Sequence, residues 1–348
     1  MDMRAVVYRG PGRVQLEALD RPPLEDGDLL LRVRAASVCA TDMKIVAHGH
    51  FKIPEGTSRV LGHEFVGEIV EGHQAYPELA KGMRVGVAPN VGCGRCQACV
   101  LGLDNLCPHY EALGITMDGA LAEYVRIPAR MVRRGNVVPL PDALSDDEAA
   151  LVEPFSCVVA AQESVGLAAG DRVMVVGAGP MGLMHVLLAR AAGAAVVASV
   201  DPLEPRRRLS LSLGADAALA PDELQDGVRT LTGGDGFDVI IVTVPLREAQ
   251  EQAIGLAAVR GRIHFFAGLP KHSALPTLDT NAIHYRQLTV TGTTGASVYH
   301  YRRTVQLVAS QRVSLSPLIT HRLALEEVPG LFGSGRPADQ LKVLIHPR

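Results

Sequence analysis

The stretch DRVMVVGAGPMG, residues 171–182, constrains the fold of this chain more than any other. A short apolar run leads into Gly177-x-Gly179-x-x-Gly182, an apolar helical pattern follows, and a second apolar run, AAVVASV, ends at Asp201. Strand, glycine turn, helix and strand in that order form the context in which a GxGxxG turn binds a dinucleotide. Gly177 allows the tight turn, Gly179 lets a pyrophosphate approach the backbone, and Gly182 lets helix and strand pack closely. Pro180 suits the first helical turn, where a missing N–H costs nothing, and Met181 follows it in the turn that faces the phosphates. Asp201 lies 19 residues past Gly182, where a carboxylate reaches the adenosine ribose hydroxyls. This predicts NAD as cofactor. Arg206, Arg207 and Arg208 follow closely, and a guanidinium there could hold a 2′-phosphate, but the fixed carboxylate should dominate.

Beyond Asp201 the alternation continues. PRRRLSLSLGAD and PDELQDGVRTLT read as helices, FDVIIVTV as a strand, LREAQEQAIGLAAV as a helix ending before Gly261, and GRIHFFAG and LTVTGTTG as strands. Such alternation means a parallel, doubly wound sheet. The region before residue 150 differs: short alternating runs such as MRAVVYRG, RVQLEALD and MRVGVAP, broken by Gly and Pro, predict an irregular β-rich domain.

Four of the six cysteines fall in VGCGRCQACVLGLDNLC, as Cys93, Cys96, Cys99 and Cys107. Four thiolates with glycines between them can surround one tetrahedral Zn²⁺ and leave no open position, so the ion would be structural. An iron–sulfur cluster takes the same four ligands and stays open as a reading. A nucleic-acid-binding zinc ribbon fits poorly with a net charge of −3. The fifth, Cys39, follows a strand-like run; His63 and Glu64 lie in LGHEFVGEIV, and Glu153 in ALVEPFSCVVAA. A Cys, a His and a carboxylate make a three-ligand zinc site with a position left for water or substrate. Cys157, between apolar neighbours, reads as a small core residue.

With 348 residues, 47% hydrophobic and 20% charged, the chain is an ordinary globular protein long enough for two domains. Its first residues lack the apolar core of a signal peptide, so the expectation is a cytoplasmic protein with reduced thiols. The most apolar stretch is broken by His185 and Arg190 and reads as buried helix and strand. Neither nucleic acid nor membrane is expected as a partner.

Taken in order, Cys39-x-Thr41-Asp42, Gly62-His63-Glu64, the four-Cys loop, Glu153-Pro154 and the glycine turn resemble the zinc-dependent medium-chain alcohol and polyol dehydrogenases over essentially the whole chain. The resemblance implies an α/β protein: a GroES-like β-rich catalytic domain, residues 1–152 with the structural zinc loop at 91–107, a Rossmann NAD-binding domain, residues 153–292, and a return segment, residues 293–348, completing the first. It implies two Zn²⁺ per chain, a small-molecule alcohol substrate and a homo-oligomer, dimer or tetramer. Cys39 and His63 match the catalytic zinc ligands, and Glu64 the adjacent acid, which in polyol members can bind the metal directly. Glu153 matches the acid at the remaining ligand position, either on zinc or on its water, and the Glu-Pro pair resembles sorbitol-type, sugar and cyclitol dehydrogenases. Thr41 is the candidate for moving the alcohol proton. Lys44 stands where some members carry a His in the proton path. Asp42 serves either as partner to His63 or as a helix cap.

Other readings stay open: a threonine-type amino-alcohol dehydrogenase, a zinc-free enone or quinone reductase, and a silent binding protein on the same fold. Lys44, His48, Thr116, Thr293 and Thr294 are candidates for a polar substrate pocket.

Overall fold

The computed structural model describes the chain apart from residues 1, 73–74, 271–272, 274, 334–336, 338 and 348. It divides into two compact units, residues 1–156 with 296–348, and residues 157–295. The sequence expectation put these limits at 152/153 and 292/293. The first limit falls inside the helix Val152–Ser164, after Ser156.

In the first unit the strands that matter form one mixed sheet. Among the described residues its order is 137–139, 84–87, 64–71, 29–37, 342–346, 319–324, with 124–127 also paired to 29–37. The strand Leu29–Ser37 is central and apolar on both faces, with a burial pattern that exposes only Arg32 and Arg34. Ser37 stands opposite Glu64 on one side and Leu344 on the other, so the chain's late segment closes the sheet built by its early ones. Leu29, Leu31, Ile45, Leu61, Phe65, Ile69, Leu121 and Ile345 pack in one core beneath it.

The second unit holds a six-stranded sheet, among the described residues, with every pair parallel. Numbered along the chain its strands lie in the order 3-2-1-4-5-6, and a nucleotide binds such a sheet where the order reverses, beside the first strand, Arg172–Val176. One boundary is corrected. The helix that begins at Arg247 ends at Leu256, short of Val259, because Ala257 already pairs with Phe237 as a strand. The apolar run LAAV satisfies either period, and sheet pairing decides it.

Candidate metal centre and nucleotide turn

The donors converge at one end of the mixed sheet. The strand Leu29–Ser37 delivers Cys39, which caps the helix Ala40–His48. Asp42, in the first turn, reaches back to accept the Cys39 N–H at 2.9 Å. Its other oxygen accepts the Gly62 N–H at 3.3 Å and stands 3.6 Å from His63 Nδ1. Asp42 is fully buried. It therefore does both things expected of it: it caps the helix and faces the histidine. Gly62 is required here, with φ at +93° and Leu121 N 2.8 Å from where a Cβ would stand.

Cys39, His63 and Glu64 each offer a donor atom within 4.8 Å of the others. A thiol, an imidazole and a carboxylate at that spacing suit Zn²⁺. Burial alone would lower His63, but Asp42 and then Cys39 outweigh it and hold the ring well above its ordinary value. Burial would raise Glu64, yet Lys342 and then His63 keep it below the usual carboxylate range. Glu153 stands outside the 4.8 Å group. It is nearly buried and is pushed up to about 7 by burial, with the charges of His63, Glu64, Lys342 and Asp42 all acting on it. The sequence reading did not mark Lys342; a lysine inside an apolar strand was the signal that could have.

Thr41 is half-buried, while Lys44 and His48 are exposed. Thr116 is half-buried and engaged in its own turn: its hydroxyl accepts from Ala112 N at 2.7 Å and lies 3.2 Å from Ala112 O. Thr293 pairs with His264 Nε2 at 3.1 Å. Cys157 is half-buried rather than a core residue.

The second donor set is the four-cysteine loop, whose thiols also lie within 4.8 Å of one another. Cys99 and Cys107 are buried, and Cys107 Sγ accepts the Cys93 N–H at 3.3 Å. The backbone N–H groups of Arg95 and Cys96 lower Cys93 to about 6, whereas burial lifts Cys99 to about 12. A Cβ on Gly92 would stand 2.4 Å from Cys99 Sγ, so only glycine lets the loop fold around its thiols. Arg134 ties the loop down through Asp104 at 2.9 Å.

In the second unit the glycine turn follows the strand Arg172–Val176. Gly177 has φ at +99°, and a Cβ on Gly182 would lie 1.8 Å from Gly177 O. Gly179 differs: its backbone is extended, with φ −73° and ψ −178°, and a Cβ there would meet nothing within 4 Å among the described residues. That open space, ahead of the helix Pro180–Ala191, is where a phosphate would sit against helical N–H groups. Pro180 and Met181 open that helix. Asp201 is buried; its carboxylate accepts Ala178 N–H at 2.8 Å and Leu203 N–H at 2.9 Å. Each oxygen keeps a second lone pair for a ribose hydroxyl. Arg206 comes to 3.8 Å of Asp201, and Arg207 is held by the carbonyls of Asp201 and Pro202.

Two buried histidines stand apart from the site: His185, which breaks the most apolar stretch of the sequence, and His264, which the sequence reading did not single out. His185 has Gln162 Nε2 at 3.3 Å from Nδ1 and meets Phe266 edge-on at 4.8 Å. His264 bonds Thr291 at 3.0 Å as well as Thr293. Burial lowers His185 to about 3 and His264 to about 4.

Residues 25–142 match the alcohol dehydrogenase GroES-like domain, and residues 180–310 match the zinc-binding dehydrogenase domain. L-threonine 3-dehydrogenase of Bacillus licheniformis is 33% identical over 99% of both chains. Sorbitol dehydrogenase of Bacillus subtilis is 30% identical over 99% of this chain and 98% of its own. Among solved structures, 2R,3R-butanediol dehydrogenase of Bacillus subtilis superposes with a TM-score of 0.90 at 26% identity, covering 99% of this chain and 100% of that one. A Sinorhizobium meliloti protein solved with NADP bound superposes at 0.91 with 32% identity over the full length of both.

Proposed function

The chain belongs to the zinc-dependent medium-chain alcohol dehydrogenases, and from that membership we propose that it oxidises a secondary alcohol whose carbinol neighbours a carbon bearing oxygen or nitrogen, with NAD as hydride acceptor. The observation that supports this most is the triplet of half-buried Cys39 and buried His63 and Glu64 at one sheet end. Cys39, His63 and a carboxylate of Glu64 or Glu153 would hold one zinc, and Cys93, Cys96, Cys99 and Cys107 a second. Bound there, the first ion supplies Lewis-acid polarisation of an alcohol oxygen. The nicotinamide supplies the hydride chemistry.

The chain's own residues do the rest. Asp42 ties the backbones of Cys39 and Gly62 to one carboxylate, so both donors are positioned together. Facing Nδ1 of His63, it leaves Nε2 for the metal. The Thr41 hydroxyl, two residues from Cys39, passes the alcohol proton outward to solvent water, and Lys44, an ammonium on the exposed face, lies along that route as a donor. Gly179 leaves room for the pyrophosphate, and Asp201 orients the turn and binds the ribose.

Polyols, cyclitols, aminocyclitols and sugars share the carbinol arrangement proposed. L-threonine has it too, and identity to L-threonine 3-dehydrogenase favours the amino-alcohol reading as the second one. A panel of sorbitol, a cyclitol, 2,3-butanediol and L-threonine, followed by NAD⁺ reduction, tests both. Turnover of the first three without L-threonine supports the polyol reading, and the reverse supports the second. No turnover of any by zinc-loaded protein refutes both. The reading includes a cytosolic homo-oligomer, which light scattering on the purified protein tests for assembly.

A further inference from the structure

His264 stands one residue before the end of the fifth parallel strand, Ala257–Phe265, and is fully buried. Its ring nitrogens face hydroxyls. Nδ1 lies 3.3 Å from Ser164 Oγ and 3.0 Å from Thr291 Oγ1, and Nε2 lies 3.1 Å from Thr293 Oγ1. These contacts fix the tautomer. The Ser164 hydroxyl gives its hydrogen to Ala161 O at 2.8 Å, so toward His264 it can only accept. Nδ1 therefore carries the ring proton. Burial pushes the ring down to about 4, so it is neutral near pH 7. A neutral ring protonated at Nδ1 has a bare Nε2, and the Thr293 O–H donates to it. Thr293 is half-buried, and its side chain makes no other hydrogen bond among the described residues. Its hydrogen is committed inward, and its oxygen keeps two lone pairs for a donor.

Thr293 directly follows the sixth strand, Thr289–Gly292, at the carboxyl edge of the sheet, where such sheets bind their ligands. The glycine turn and Asp201 follow the first and second strands and take the adenosine half of a dinucleotide. A dinucleotide spans the reversal of strand order, so its other half covers the ends of the fourth, fifth and sixth strands. The nicotinamide there carries a carboxamide whose N–H groups need acceptors. We propose that the Thr293 hydroxyl accepts a carboxamide N–H of the nicotinamide, and that His264 is a positioning residue that makes it an acceptor by taking its hydrogen. This rests on the reading of the cofactor as NAD. A ring gripped at its carboxamide is held against turning about its ribose bond, so the pair helps to fix which face of the ring meets the alcohol.

The test compares two cofactors that differ at this group: NADH and its reduced acetylpyridine analogue, in which a methyl replaces the amide nitrogen. Calorimetry gives a Kd for each, and their ratio isolates the amide group. Thr293→Val should cut the preference for NADH by about 2- to 10-fold, the worth of one hydrogen bond, and Thr293→Ser should keep it. His264→Leu should cut it too, with the double variant no worse than Thr293→Val. His264→Gln, whose amide oxygen can accept where Nε2 stood, should restore it. A packing role for His264 would weaken both cofactors equally; an unchanged ratio in His264→Leu or in Thr293→Val would overturn the proposal. Should His264→Leu fail to fold, the nitrogen NMR spectrum of the unmodified protein decides, the His264 signals being those lost in His264→Gln. A proton on Nδ1 supports the proposal, and one on Nε2 overturns it. No binding of either cofactor by the unmodified protein would instead refute the NAD reading itself, which separates the two failures.

Discussion

Three of the buried carboxylates in the first unit, Asp42, Glu64 and Glu153, are set apart by what surrounds them. Asp42 is tied to two backbone amides, Glu64 to an ammonium, and Glu153 is pushed up to about 7 by burial. Glu153→Gln should leave NAD binding intact while zinc affinity falls by at least the roughly 10- to 100-fold that follows loss of an outer-shell partner. Unchanged metal content and kinetics would demote Glu153 to packing. Asp201 offers the matching test in the second unit. The unmodified protein should prefer NAD, because a carboxylate at the strand end repels a 2′-phosphate. Asp201→Ser should lose NAD efficiency and gain on NADP, with Arg206, 3.8 Å away, freed to meet the phosphate. Steady-state kinetics with both cofactors checks this; equal efficiency with NADP before mutation would show that the arginines dominate. Residues such as Asp201 and Gly182 are legible in sequence because their partners are close along the chain. Lys342 was not: a lysine in an apolar strand marks the residue, but 278 positions separate it from Glu64 and nothing local names the partner.

Among elements, the glycine turn separates shape from function within six residues. Gly182→Ala should destabilise the second unit by about 1–3 kcal/mol, since a Cβ there would overlap Gly177 O and the helix must back away from the strand. Gly179→Ala should fold as before, its backbone being extended and the space around it open, but should raise the KM for NAD. Equal loss of stability in the two variants, read by thermal unfolding, would contradict that division. The cysteine loop is the other element with a function of its own. Cys99→Ser should remove one zinc and lower stability, because metal-binding energy at a four-thiolate site is folding energy. Metal analysis alongside thermal unfolding checks it. Strands and helices with one strong period were legible; LAAV was not, because four small apolar residues fit a helix and a buried strand equally, and only pairing with Phe237 settles them.

For the molecule as a whole, acid should weaken the second unit first. His185 and His264 are buried with values near 3 and 4, while an unfolded histidine titrates near about 6.5. Both rings stay neutral when folded, so their contribution is complete above about pH 6.5 and is lost as pH falls toward 4, by up to about 1.4 kcal/mol per pH unit for each ring. His185→Leu should remove about half of that slope, measured by urea unfolding between about pH 7 and about pH 5; an unchanged slope would mean that His185 is not buried neutral. The mixed sheet has a different consequence, one of time rather than energy. Strand 29–37 is made early, but its neighbour 342–346 leaves the ribosome only after the entire second unit has been translated. At about 5–20 residues per second, the 278 positions between Glu64 and Lys342 take roughly 14–56 s. For that interval the nascent chain carries an open edge beside strand 29–37, and Glu64 waits for its ammonium until the last strand is made.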